Sequence, residues 1–364
     1  MPNDPYISPL SVPADFDWKT IEAKNITLMQ LSSVLNEDGD TVASFLPPGN
    51  YDLTVGKSTT LTVVKEDTNI VTKAIVIPSD VKQKVYFPAK DKYATVMFED
   101  LFPSKGDMDM NDIVFGLNIE YFLDNNSRLL AIQINIQPRA IGSTYSQIGL
   151  AANLLSQNIL SIVNGISHSG EPALSPLFNV TTNRDGYSPE LNNKSSQVIP
   201  LTGNFRSYFD NDNGSFINVM ENDAVSATHN FSVLIEIKSS EKFPFSKLTF
   251  LESVQSGKIN LDIFAVFGSR GKEIHFKGQR PTDLFSYQYF VSTLPKTDFS
   301  TIDNWVWVII SDKSIRYNLE YVKIFNAYPN FKVWAEGGGS IGSNWYIPSV
   351  KDSLYLKTNF DYVN

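Results

Sequence analysis

The segment Phe98 to Phe115 reads FEDLFPSKGDMDMNDIVF and holds Glu99, Asp100, Asp107, Asp109 and Asp112, five carboxylates within fourteen residues, together with Asn111. Only Lys105 offsets them. The D-x-D-x-N-D spacing sets oxygen side chains at alternate positions, as in loops that wrap a hard cation, and Gly106 allows a sharp turn just before the first aspartate. Oxygen-rich sites without histidine or cysteine select Ca²⁺ over softer metals, and crowded charge favours the larger ion over Mg²⁺. Two carboxylates about 4 Å apart repel by roughly 4 kcal/mol at an effective dielectric near 20, so the cluster calls for a cation. The competing reading is a solvated acidic hairpin loop with Asn and Asp as turn residues. The density of carboxylates favours the metal. Asp107, Asp109 and Asp112 are the leading ligands, with Glu99, Asp100 and Asn111 next.

Other motifs carry less. Gly338-Gly339-Ser340-Ile341-Gly342 matches G-x-S-x-G, but it follows a predicted helix, and no histidine lies beyond His275. Gly337, Gly339 and Gly342 also match G-x-G-x-x-G without a preceding strand, and both matches read as a helix-ending loop. Gly56-Lys57-Ser58 lacks the upstream glycine of a phosphate loop. Asp210 to Ser215, with Glu221 at the twelfth position, resembles an EF-hand whose glycine falls one place early, and reads as a turn with a weak second calcium site as the alternative. Trp305, Trp307, Tyr287, Tyr289, Trp334, Trp345 and Tyr346 either fill a core or form a platform for sugar rings.

Composition removes whole classes of function. The 364 residues are 42% apolar, 12% aromatic and 19% charged, enough to bury a core rather than remain disordered. A net charge of −9 repels phosphate backbones, so nucleic acid is not an expected partner. With no cysteine there are no disulfides, thiolate zinc sites or cysteine nucleophiles, and His168, His229 and His275 lack zinc-ligand spacing. No apolar stretch is long enough for a transmembrane helix, and the start, Met-Pro-Asn-Asp, shows no leader. A mature chain with its leader removed would read the same way.

The acidic loop needs strands to hold it, and the flanking pattern supplies them. Ala94, Val96 and Phe98 alternate before it, and Ile113, Phe115, Leu117, Ile119 and Tyr121 alternate after it. Leu130, Ile132, Ile134 and Ile136 repeat the period of two, as do Phe231 to Ile237 and Leu261 to Phe267. Residues 164 to 230, rich in Asn, Ser, Gly and Asp, read as long loops. Before the acidic loop, Ile26 and Leu28, Tyr51 to Val55, Leu61 to Val64 and Ala74 to Ile77 read as short strands. Asn318 to Glu336 reads as helix, broken by Pro329 and stopped by Gly337. The expected architecture is all-β: an exposed linker at 1 to 14, a small β-sandwich at 15 to 88, and a larger sandwich at 89 to 364, each Ig-like or jelly-roll-like, with a short helical segment near the carboxyl end.

The string FEDLFPSKGDMDMNDIVF resembles the signature of the LruC-domain family, exported surface proteins of Bacteroides-type bacteria. Further stretches resemble the same family: Arg139-Ala140-Ile141-Gly142, Gly271 to His275 leading to Arg280-Pro281-Thr282-Asp283, and Ala327 to Phe331 through Trp334-Ala335 to Asn344-Trp345-Tyr346. The likeness runs over most of residues 90 to 350, and PADFDW and PPGNYDLTV resemble the small sandwich that precedes such domains. It implies export, a lipid anchor on the full-length precursor, a cell-surface or extracellular place, and an adhesive or structural role. The expected function is therefore a non-enzymatic surface protein with a structural calcium loop, its partner a surface protein or a glycan. A carbohydrate-binding module is the first alternative and a β-sandwich hydrolase the second, the latter needing two facing carboxylates in a cleft.

Overall fold

The computed structural model describes residues 8–65, 78, 80–156, 161–183, 186–212, 214–253, 255, 257–290 and 298–363. The first region contributes β1 (Ile21–Leu28), β2 (Ser32–Leu35), β3 (Thr41–Leu46), β4 (Gly49–Gly56), β5 (Thr62–Lys65) and β6 (Gln83–Phe87). The strand expected at Ala74 to Ile77 lies outside the described residues. Next come β7 (Ala94–Phe98), β8 (Ile113–Leu123), β9 (Leu129–Ala140), β10 (Ile148–Ser156) and β11 (Val163–His168). Two short strands, β12 (Thr182–Asn183) and β13 (Gly186–Tyr187), precede β14 (Ser196–Thr202). β15 (Phe231–Ile237), β16 (Leu248–Phe250), β17 (Ile259–Phe267), β18 (Glu273–Ile274) and β19 (Val308–Ser311) complete the strands.

The fold is an all-β sandwich with a short helical segment near the carboxyl end. A large sheet runs β12-β13-β11-β15-β9-β8-β6-β3-β2-β5, with β7 also pairing β8 and β19 pairing β7. A five-stranded sheet, β14-β10-β17-β16 with β18 on β17, packs against it, and β1 and β4 form a separate ribbon. The alternation in β8 explains the layering. Ile113, Phe115, Leu117 and Ile119 point into the main core, which also holds Ile134 and Ile136 of β9, Leu150 of β10 and Ile263 of β17. Val114, on the opposite face, enters a second core with Met97, Trp305, Trp334 and Trp345. The start of β8 is therefore covered on both sides.

Three sequence expectations are corrected. The stretch read as loops at 164 to 230 contains β14, whose Val198, Ile199 and Leu201 are buried beside β10. Its Asn- and Ser-rich flanks hide a short apolar run. The exposed leader fails for the described residues 8 to 14: Leu10 is 4% exposed and packs in the second core with Phe16 and Trp18. The boundary at 88/89 carries no break in hydrogen bonding, since β6 pairs β8 from Gln83↔Leu123 to Phe87↔Ile119, and the main core holds residues from both sides.

At the carboxyl end two helices form, α1 (Ile324–Ala327) and α2 (Pro329–Glu336). Pro329 begins the second helix, where a missing N–H costs nothing, so the break falls where expected. Asn318 to Lys323 is not helical, and Tyr321 has φ 65°.

Candidate metal centre

Strand register builds the base of the acidic loop. Phe98 of β7 lies opposite Ile113 of β8, so the loop from 99 to 112 joins neighbouring antiparallel strands and starts and ends with acids side by side. The Asp112 N–H donates to the Phe98 carbonyl (3.0 Å), and the Asp100 N–H donates to Asp112 Oδ2 (2.7 Å). Above that base the backbone alternates. Gly106, Met108 and Met110 have φ of 69°, 68° and 57°, left-handed values that cost a non-glycine residue about 1 to 2 kcal/mol each. Burial of both methionines in the second core holds this shape. The methionines thus fill the core while Asp107 and Asp109 gather toward Glu99.

The oxygens of Glu99, Asp107 and Asp109 lie within 4.8 Å of one another. Glu99 and Asp109 are buried and Asp107 is half-buried. Asp100, Asn111 and Asp112 are buried close by. The Ser143 hydroxyl donates to Asp100 Oδ2, and Lys272 Nζ reaches the Asp100 carbonyl at 2.8 Å. Asp109 Oδ2 accepts the Tyr321 N–H (2.8 Å). Asn111 Nδ2 donates to the Asn318 carbonyl at 3.3 Å, whereas Asn111 Oδ1 and Glu99 Oε2 have no hydrogen-bond partner.

The electrostatics of the metal-free loop are unfavourable throughout. Burial, reinforced by Asp107, pushes Asp109 up to about 8. Burial, then Asp112, lifts Glu99 well above the carboxylate range, and burial, then Asp100, does the same to Asp112. Burial also raises Asp100 and Asp107, against the pull of Lys272 and Lys323 respectively. A buried group of carboxylates that resists ionisation is one that a divalent cation would relieve, and the oxygen-only donors suit a hard ion.

One further acid was not foreseen. Glu320 is half-buried with Oε2 unpartnered, and burial followed by Asp109 lifts it to about 9 against the pull of a hydrogen bond from Asn111. The helical reading of 318 to 336, broken at Pro329, assigned Glu320 no part in the acidic loop. The irregular turn at 318 to 323 is held by tertiary contacts and has no local signal.

Gly106 has a specific steric duty. A β-carbon there would overlap Glu99 Oε1 and lie 2.9 Å from Glu99 Cγ. Gly106→Ala is expected to cost about 1 to 3 kcal/mol in EDTA, from φ strain and displacement of Glu99. A thermal melt unchanged by the substitution would show that Glu99 is not seated against this turn.

The other candidates resolve plainly. Asp212 Oδ1 accepts the Gly214 N–H (2.9 Å) and pairs with Arg206, while Asp210 pairs with His229. Glu221 is exposed, and Asn213 lies outside the described residues. Trp305, Trp307, Trp334, Trp345 and Tyr346 are buried, Tyr289 is half-buried and only Tyr287 of the seven is exposed, so they form core and not a platform. Among the described residues, a cavity of about 170 Å³ beside Ser161 and Lys194 is lined by one carboxylate, Glu190, which is bound by Arg270. Gly337 to Gly342 form the loop that ends α2. No helix among the described residues is long and apolar enough to cross a membrane.

The fold and site together define a β-sandwich protein with an acidic strand-to-strand loop packed against the second core. The crystal structure of a "Putative lipoprotein from Bacteroides ovatus" shares this fold with a TM-score of 0.53 over 93% of this chain and 94% of that chain, at 15% identity. No curated protein matches the sequence. Residues 127–346 match the family described as Domain of unknown function (DUF4842), and the chain belongs to that family. The acidic loop precedes the matched span, whereas Glu320 falls inside it.

Proposed function

We propose that this chain is a non-enzymatic cell-surface protein, adhesive or scaffolding in role, whose 99–112 loop holds one structural Ca²⁺. The observation that carries the metal is the convergence of Glu99, Asp107 and Asp109 oxygens within 4.8 Å of one another in a buried setting. Six oxygen-bearing side chains and no nitrogen or sulfur donor suit Ca²⁺, and the irregular loop suits its flexible coordination better than the strict octahedron of Mg²⁺. An ion that binds only the folded chain stabilises it by mass action, and extracellular calcium is abundant enough to fill even a weak site.

The surface role rests on two likenesses, to the Bacteroides ovatus chain in fold and to LruC-type proteins in the acidic string. The partner on this reading is a surface protein or glycan, and a lipid anchor would belong to the precursor. The burial of the tryptophans speaks against the sugar-platform alternative, and the lone carboxylate of the cavity against a glycosidase-like cleft.

Titration calorimetry tests the metal. Purified protein stripped with chelator should bind Ca²⁺ in preference to Mg²⁺, and Asp107→Ala/Asp109→Ala should abolish the heat. Absence of binding in the parent protein, with no ion found by elemental analysis before stripping, would sink the calcium site.

A further inference from the structure

We propose that Glu320 is a ligand of the same cation, so that the ion ties the 99–112 loop to the chain segment 318–324. The inference rests on the calcium reading above and extends it to a part of the chain more than two hundred residues away. Two observations on one oxygen point at Glu320. The first is a fully buried amide oxygen with nothing to bind: Asn111 is 0% exposed and its Oδ1 has no partner, an arrangement that buried polar groups avoid unless a ligand or ion satisfies them. The second is where that oxygen sits. A β-carbon at Gly142 would overlap Asn111 Oδ1 and lie 2.6 Å from Glu320 Oε2, so the two orphan oxygens converge on the space this glycine leaves open.

The backbone holds this approach in place. The Tyr321 N–H donates to Asp109 Oδ2 at 2.8 Å, and the Ile324 N–H donates to the Met108 carbonyl at 2.9 Å. On the other side, the Glu320 N–H donates to the Val219 carbonyl (3.1 Å), and the Gly142 N–H donates to the Asn111 carbonyl (2.9 Å). Segment 318–324 therefore lies across the acidic loop and brings a carboxylate beside Asn111. A hard cation taking six to eight oxygens needs more donors than Glu99, Asp107 and Asp109 alone supply. Asn111 Oδ1 and Glu320 Oε2 extend the set.

The test uses the full chain with Ca²⁺, and Tb³⁺ as a luminescent stand-in. Glu320→Gln and Glu320→Ala should weaken calcium binding about tenfold to hundredfold. In EDTA both variants should melt at or above the parent temperature near pH 9 and change little at pH 7, because the side chain removed is a half-buried carboxyl group whose ionisation the metal-free loop opposes. A residue with a merely structural role would lower the melt in EDTA as well. Terbium lifetimes in H₂O and D₂O should show one more coordinated water in Glu320→Ala. Calcium should also slow hydrogen exchange at Tyr321 and Ile324 in the parent protein and do so much less in the variants. If the parent binds calcium while the variants match it in affinity and hydration, Glu320 is not a ligand and the calcium site stands. If the parent gives a blank titration, both proposals fall together.

Discussion

In EDTA, the melting temperature is expected to fall steadily as pH rises from 5 to 9, the reverse of ordinary acid unfolding. Asp109, free of metal, is held up to about 8 by burial and then by Asp107, whereas its unfolded value is 3.8. Between those values the folded chain keeps a proton that the unfolded chain releases, so stability is lost as pH rises through the window and is fully present only below it. The slope is about 1.4 kcal/mol per pH unit for each carboxylate that stays protonated, or about 2 °C per pH unit in a chain of this size. Glu320 acts in the same direction up to about 9, with a smaller effect because water screens a half-buried group. Calcium should remove the loop's share of the slope by holding its acids ionised, so the gain from added Ca²⁺ grows from little near pH 5 to its largest near pH 9. Melts at five pH values with and without the ion measure this directly. A calcium gain independent of pH would mean that the acids are already ionised in the metal-free protein.

A second acidic and basic cluster gives the other large expected effect, and calcium should not touch it. Arg270 bridges Glu190 (2.6 Å) and Glu273, two carboxylates whose side chains are 0% exposed. His275 lies between Asp262 (2.6 Å) and Glu273 (2.8 Å), with its ring stacked on Phe264. Replacing Arg270 with methionine leaves the Glu190 carboxylate buried with no cation beside it. Removing one partner of a buried ion pair costs about 3 to 5 kcal/mol, or roughly 5 °C here. Chemical denaturation of Arg270→Met against the parent checks the value, and adding Glu190→Gln should recover part of the loss. An additive double variant would show that the two side chains do not interact. Burial alone would lower the affinity of His275 for its proton, but Asp262 and then Glu273 overcome it and hold the ring up to about 9. Its stabilising charge is complete below the unfolded value of 6.5 and lost as pH rises through about 9, so part of the alkaline decline should persist in calcium.

What the sequence revealed follows the range of the interactions. Alternation in β8 and β9 is a local pattern, and Ile113 to Tyr121 and Ile132 to Ile136 face the core as that pattern requires. The acidic string is local too, and the strands on either side of it placed it correctly between neighbours in the sheet. Glu320 reaches the loop only through an irregular turn with a left-handed Tyr321, which hydrophobic spacing cannot report. The network of Glu190, Asp262, Arg270, Glu273 and His275 likewise joins residues from separate strands and loops, so spacing alone left His275 looking isolated. Residues 1 to 14 looked like an exposed, proline-rich linker because much of the second core that buries Leu10 lies about three hundred positions later.

That last contact sets an order of events during synthesis. Trp18 packs on Trp305, Phe331 and Trp334, and its indole N–H donates to the Asn304 carbonyl at 2.7 Å. At about 5 to 20 residues per second, the ribosome delivers those partners roughly 15 to 60 s after Trp18 itself has been made. For that interval Leu10, Phe16 and Trp18 have no aromatic seat to close against, while the strands between can already pair in the main core. The amino-terminal segment is thus the last to dock, held open until residues past 300 have emerged.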